Sequence, residues 1–172
     1  MGRGFLLGVA VALGTTLTAC GGGGESGASS SATPSPSPTA DATTVYRHVL
    51  EQGNGLLDSD GSTYESSCNF GIAPYKDSCR QWALTVDPAL VNQFVGLLSN
   101  AQVPAADVSD NQLLGQGLQM LLADDTAAAN AIGSGNEAAA TSALGKRLTD
   151  DCTAVASVLS KLDPGVSKPS FC

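Results

Sequence analysis

The sequence predicts an all-α fold, a four-helix antiparallel bundle with a disulfide-pinned irregular loop after the first helix. Three observations carry that expectation. Apolar residues recur at helical spacing in four places along the last three-quarters of the chain. Short polar, glycine or proline punctuation separates the four stripes. Two extra cysteines, Cys68 and Cys79, fall together in the one stretch that lacks a helical period.

Val45, Val49 and Leu56, with Tyr46, Leu50 and Leu57, make the first stripe, from about Asp41 to Ser59. Asp58-Ser59-Asp60-Gly61 reads as its stop, a helix-ending Asx turn. Between Ser62 and Val86 the pattern weakens. Trp82, Leu84 and Val86 alternate with Gln81, Ala83 and Thr85, which is a strand period, but no partner strand is evident. The segment therefore reads as an irregular excursion with room for one helical turn, packing Trp82 on the bundle. Asp87-Pro88 is an N-cap followed by proline at the first helical position. Leu90, Phe94, Leu97 and Leu98 follow, to about Ala101, and Pro104 ends the run.

Ser109 or Asp110 caps a third helix through Leu114, Leu118, Leu121 and Leu122, either unbroken or restarted at Asp124-Asp125, as far as Ile132. Gly133-Ser134-Gly135 is a tight connection, and Asn136 caps the fourth helix. Its stripe of Leu144, Leu148, Cys152, Val155, Leu159 and Leu162 is the clearest of the four, and Asp163-Pro164-Gly165 terminates it. Short connections make neighbouring helices antiparallel, and the four stripes bury one another.

The chain has 172 residues, and three segments divide it: 1–19, 20–44 and 45–172. Behind a single Arg3, an apolar run begins at Phe5 and ends in Leu17-Thr18-Ala19-Cys20. At about fifteen residues the run is short of the roughly twenty that span a bilayer, and it suits an export signal. Leu17 at −3 from the cut is unsuited to ordinary secretory cleavage. One arginine rather than a pair points to the general secretion route. Leu17-Thr18-Ala19-Cys20 resembles the lipobox of bacterial lipoproteins. That resemblance implies a signal peptide over residues 1–19 and a thioether-linked diacylglycerol on Cys20, the first mature residue. It also implies a domain held by lipid on the outer face of the cell membrane. Scarce lysine with abundant alanine and glycine resembles the usage of high-GC, actinobacterial genomes.

Residues 21–44 run from four glycines through Ser, Ala and Thr to steps at Pro34, Pro36 and Pro38. Such a segment cannot bury enough surface to offset its ordering entropy, so a tether is expected. Fully extended at about 3.1 Å per residue, it reaches at most ~70 Å. Its hydroxyl- and proline-rich composition also resembles O-glycosylated stalks.

The formal net charge is −8, from eight basic against sixteen acidic residues, and loss of Arg3 makes the mature chain more acidic still. With no basic run and no aromatic stacking platform, nucleic acid is not an expected partner. Besides Cys20, four cysteines in an exported domain read as two disulfides. Three pairings are possible; Cys68–Cys79 and Cys152–Cys172 close the shortest loops. The reach supports the second. Ten helical residues after Cys152 rise about 15 Å, and the ten-residue tail can return over that distance.

Candidate chemistry is sparse. His48, the single histidine, could serve a haem or metal carrier with Met120 or Tyr46, but one imidazole is far short of a ligand set. Asp58, Asp60 and Gly61 match part of a calcium loop, yet position one is Leu56 and position twelve is Ser67. Asp124-Asp125 and Asp150-Asp151 are adjacent pairs that point about 100° apart on a helix, so neither faces itself across a cleft. They and Lys146-Arg147 read as solvated helix faces. There is no GxSxG elbow, phosphate loop or GxGxxG motif. The expectation is a lipid-anchored, non-catalytic binding domain whose partner is another envelope protein or a small apolar ligand. A cell-envelope hydrolase built on scattered carboxylates and Ser/Tyr residues, and a haem or small-ligand carrier, are the alternatives. No catalytic, cofactor or metal residues are assigned.

Overall fold

The computed structural model describes residues 41–68 and 75–169. These form four helices, as the stripes predict, and no strand occurs among them. Helix α1 is Ala42–Ser67. Helix α2 covers 75–100 and is built from Tyr75–Gln81, a π-helical turn Trp82–Val86, and Asp87–Asn100. Helix α3 is Val108–Gly133. Helix α4 covers 137–162, again with a π-helical turn, Arg147–Asp151, between Glu137–Lys146 and Cys152–Leu162. Close backbone approaches join α1 to α2, α2 to α3 and α3 to α4.

Several ends follow the sequence. The Asn136 side chain accepts from Ala139 N–H at 3.1 Å and caps α4. Gly135 takes φ +74°, the left-handed backbone that the tight α3–α4 connection needs. After Leu162 the Gly165 N–H donates to Asp163 Oδ1 at 2.9 Å, closing the turn.

Three boundaries differ. Asp58-Ser59-Asp60-Gly61 does not stop α1, which continues to Ser67. Asp60 and Gly61 are buried in the bundle, so tertiary contacts override the turn propensity of the tetrad. The excursion after it is mostly helical, and α2 starts at Tyr75. Asp87 opens the α-helical segment that carries Pro88 in its first turn, but it is not an N-cap, because the π turn Trp82–Val86 runs directly into it. The missing N–H of Pro88 and its ring would disturb an α-turn here. The preceding turn widens instead, and Asp87 N–H donates to the Trp82 carbonyl five residues back. The α1 start also lies three residues inside the segment expected to be tether.

The core has two parts. Tyr46, Leu50, Leu57, Val91, Phe94, Leu114, Leu118, Leu121, Val155 and Leu159 fill one. Trp82, Ala83, Ala128, Ala129, Leu144 and the Cys68–Cys79 disulfide fill the other. That disulfide is the one expected, joining the end of α1 to α2 across the loop. Cys152 is fully buried and disulfide-bonded; Cys172, its expected partner, and Cys20 lie outside the described residues.

Gly53 lets Phe94 lie directly on the α1 backbone: a Cβ there would sit 1.9 Å from the ring. Gly55, two residues on, has nothing within 4 Å. A paired substitution separates packing from propensity. Gly55→Ala is expected to stabilise by about 0.5–1 kcal/mol through helix propensity. Gly53→Ala is expected to lose about 1–3 kcal/mol through overpacking. Urea midpoints of the two variants check this, and equal shifts would refute the close approach.

Candidate functional site

The least expected feature is a buried ionic centre to which all four helices contribute. Asp60 comes from α1, Trp82 and Asp87 from α2, Asp125 from α3 and Arg147 from α4. The four charged side chains are 0% exposed and Trp82 is 1% exposed.

Arg147 is the hub. Its Nη2 lies 2.5 Å from Asp60 Oδ2 and 2.9 Å from Asp87 Oδ1, and its Nε lies 2.7 Å from Asp125 Oδ1. The Asp60 contact is a well-formed hydrogen bond. The Asp87 and Asp125 contacts are at ion-pair distance but off the N–H directions, so charge rather than hydrogen-bond geometry holds them. Trp82 closes the centre. Its indole Nε1–H donates to Asp60 Oδ1 at 3.0 Å, and its ring lies under the guanidinium, 4.8 Å from Cζ. Tyr64 packs edge-on against Trp82, with ring centroids 5.1 Å apart, next to the disulfide.

Two π turns border the centre. Each adds a residue to its helix and shifts the phase of everything beyond it. The first begins at Trp82 and is followed by Asp87; the second begins at Arg147 and ends at Asp151. On α4, Arg147 continues the buried stripe of Ala140 and Leu144 into the turn, and Leu148 is half-buried.

Three carboxyls around one guanidinium carry excess negative charge, and the excess has a visible consequence. The Asp60 pKa is raised from 3.8 to about 7. Burial is the largest cause, the neighbouring Asp87 charge is second, and Arg147 acts in the opposite direction. Asp60 therefore keeps its proton to higher pH than an ordinary carboxyl, which brings the charge of the centre closer to balance.

The centre corrects three sequence expectations. Arg147 of the Lys146-Arg147 pair is not on a solvated face, and neither is Asp125 of Asp124-Asp125. Asp151 is 5% exposed, with Oδ2 3.0 Å from Lys146 Nζ. Lys146 also reaches Asp124 Oδ2 at 2.8 Å, and these hydrogen bonds, Asp124 first, raise its pKa. The partial calcium loop is helical, with Asp60 turned to Arg147. Among the described residues no group of three His, Cys, Asp or Glu side chains could hold a metal ion.

The carrier residues are not brought together. The His48 side chain is 68% exposed; its Nε2 lies 3.0 Å from Gln52 Nε2 and its Nδ1 3.5 Å from Glu51 Oε2. Met120 is 42% exposed on α3. Tyr46 is sealed in the core, where its hydroxyl donates to Asn111 Oδ1 at 3.0 Å. Burial, with Asp107 and Asp110 nearby, pushes the Tyr46 pKa up to about 12. A shallow open groove of about 200 Å³ runs over Thr153, Ala156, Ser157, Ser160 and Lys168. None of the described helices is long and apolar enough to cross a membrane.

The chain matches no protein-family model, no curated protein and no solved structure.

Proposed function

We propose that this chain is a lipid-anchored extracytoplasmic protein whose helical domain works by contact with another protein rather than by catalysis. Leu17-Thr18-Ala19-Cys20 carries the address. One structural observation carries the rest. The densest set of ionisable groups among the described residues is walled in by the bundle, with Asp60, Asp87, Asp125 and Arg147 all at 0% exposure. A substrate cannot reach acids in that position. They serve the hydrolase alternative poorly and a rigid scaffold well. The core is filled by its own large side chains, including Trp82, Phe94 and Tyr46, which favours a protein partner over a small apolar ligand.

Expression of the full chain in a bacterial host tests the address. The parent should fractionate with membranes and carry diacylglycerol on Cys20 by mass spectrometry, and Cys20→Ala should release it to the soluble fraction. An unmodified Cys20 on freely soluble parent protein would overturn the anchor. Cross-linking of the anchored form tests the contact role. Steady turnover of an envelope substrate without any cross-linked protein would overturn that role instead.

A further inference from the structure

The four helices do not close on one another equally. Close backbone approaches join α1 to α2, α2 to α3 and α3 to α4, but no comparable set joins α1 to α4 among the described residues. The Asp60–Arg147 pair bridges that last seam at one level. Below it, toward the start of α1, three observations bear on what covers the seam.

The first is Asn54. It stands one residue past Gly53, about 100° round α1 from the contact with Phe94 of α2, and so faces the seam. Asn54 is 5% exposed, yet its Oδ1 finds no donor among the described residues. A buried amide oxygen calls for one.

The second is the tail. It leaves α4 through the exposed Pro164-Gly165 turn, but Val166 packs on the core and Pro169 is buried. Lys168 shares the open groove with Thr153, Ala156, Ser157 and Ser160. Those four stand on the flank of α4 turned away from Val155, which packs on Gly117 of α3. The tail therefore runs back along the α1 side of α4.

The third is Cys152. It is fully buried and disulfide-bonded, and Cys68 and Cys79 are bonded to each other, so its partner is Cys20 or Cys172. Its neighbour Thr153 lines the groove with Lys168. Cys172 is four residues beyond Lys168, a reach of at most about 14 Å. Cys152 follows Arg147 by five residues and Asn54 precedes Asp60 by six. On antiparallel helices both lie about 7–9 Å below the ionic centre, at one level across the seam.

We propose that the lower α1–α4 seam is a docking site for the chain's own last residues, Ser170-Phe171-Cys172, latched by a Cys152–Cys172 disulfide. Alternate residues of an extended segment share a side. Lys168 and Cys172 then face α4, and Phe171 follows Pro169 into the interior. A backbone N–H of the segment donates to Asn54 Oδ1. The latch closes by oxidation. Each thiol gives up its hydrogen, the S–S bond forms, and a disulfide-bearing oxidant takes the two electrons and two protons and leaves as a dithiol. This docking goes beyond the contact role proposed above and does not depend on the lipid. The two agree, because the pairing leaves Cys20 for its diacylglycerol.

Non-reducing peptide mapping of the full, cell-processed chain by mass spectrometry tests the latch. Trypsin should yield residues 148–161 linked to residues 162–172. Hydrogen exchange tests the docking. The Phe171 and Cys172 amides should exchange at least ~100-fold more slowly than in an unstructured chain, and Cys172→Ser should remove most of that protection. Asn54→Ala should speed one of the tail amides by about 10-fold. With the disulfide intact, Phe171→Ser should lower the urea midpoint, whereas Lys168→Ser, at an exposed position, should leave it within error. Unprotected tail amides in the oxidised parent, or a Phe171→Ser midpoint equal to the parent's, would overturn the docking. Protection that survives Cys172→Ser would overturn the latch. A Cys152–Cys20 linkage would overturn the latch and the lipid anchor together. A Cys152–Cys172 linkage on a chain without lipid would support the latch and overturn the anchor alone, so the two readings fail separately.

Discussion

Arg147→Met is expected to be the most damaging single substitution in the domain. It keeps much of the side-chain volume but strands Asp60, Asp87 and Asp125 without their cation, all at 0% exposure. Breaking a buried ion pair by removing one partner costs about 3–5 kcal/mol, and here one removal unbalances three acids. Against a typical domain stability of about 5–15 kcal/mol, that leaves the variant marginal at neutral pH. Arg147→Lys should fall between the two. It restores the charge but not the fork that reaches Asp60, Asp87 and Asp125 at once, nor the flat guanidinium over Trp82. Urea unfolding at pH 7.5 gives the order parent, Arg147→Lys, Arg147→Met. An Arg147→Met midpoint within experimental error of the parent would show that the centre contributes nothing.

The second large effect is a dependence on pH that runs opposite to ordinary acid denaturation. Below about pH 4 the Asp60 carboxyl is protonated in both folded and unfolded chains. Between about 4 and 7 only the folded chain holds the proton, since its pKa rises from 3.8 to about 7 on folding. Above 7 neither does. The contribution of Asp60 is thus full below pH 4 and is lost as pH climbs through 7, at about 1.4 kcal/mol per unit and with a ceiling on the order of 4 kcal/mol. Asp124 adds in the same direction: burial raises its pKa more than Lys146 lowers it. The urea midpoint should therefore rise between pH 8 and pH 5. Asp60→Asn, which mimics the protonated carboxyl, should flatten that slope. A midpoint that falls on acidification over this range would contradict the raised Asp60 pKa.

The bundle was legible in the sequence because its signals are local and redundant. Asn136 has one role as a cap, Asp163-Pro164-Gly165 can only end a helix, and the α4 stripe repeats through Leu144, Val155 and Leu159. The ionic centre was not legible for the converse reason. Each of its members sits in a short polar cluster that has an ordinary surface meaning: Asp60 in a turn-like tetrad, Asp87 before a proline, Asp125 and Arg147 beside a like-charged neighbour. Phase held the missed signal. Tyr46, Leu50, Gly53, Leu57 and Asp60 keep one spacing, as do Leu114, Leu118, Leu121 and Asp125, so both acids fall on buried stripes. The π turns were beyond reach because a one-residue shift in helical phase has no local residue signature. Trp82, Leu84 and Val86 imitated a strand, although the turn buries Trp82 and leaves Leu84 and Val86 at 43% and 36% exposed.

The shared guanidinium also decides which bundle can exist. Alanine- and leucine-lined helices are nearly interchangeable, and sliding one past another by a turn of about 5.4 Å changes little in a purely apolar seam. In this chain only one alignment brings an acid from each of three helices to a single cation on the fourth. Any slipped assembly would strand an ion in hydrocarbon at a cost of several kcal/mol. The centre thereby acts as a key, rejecting mis-threaded neighbours of the native state whatever it adds to the native state's own depth.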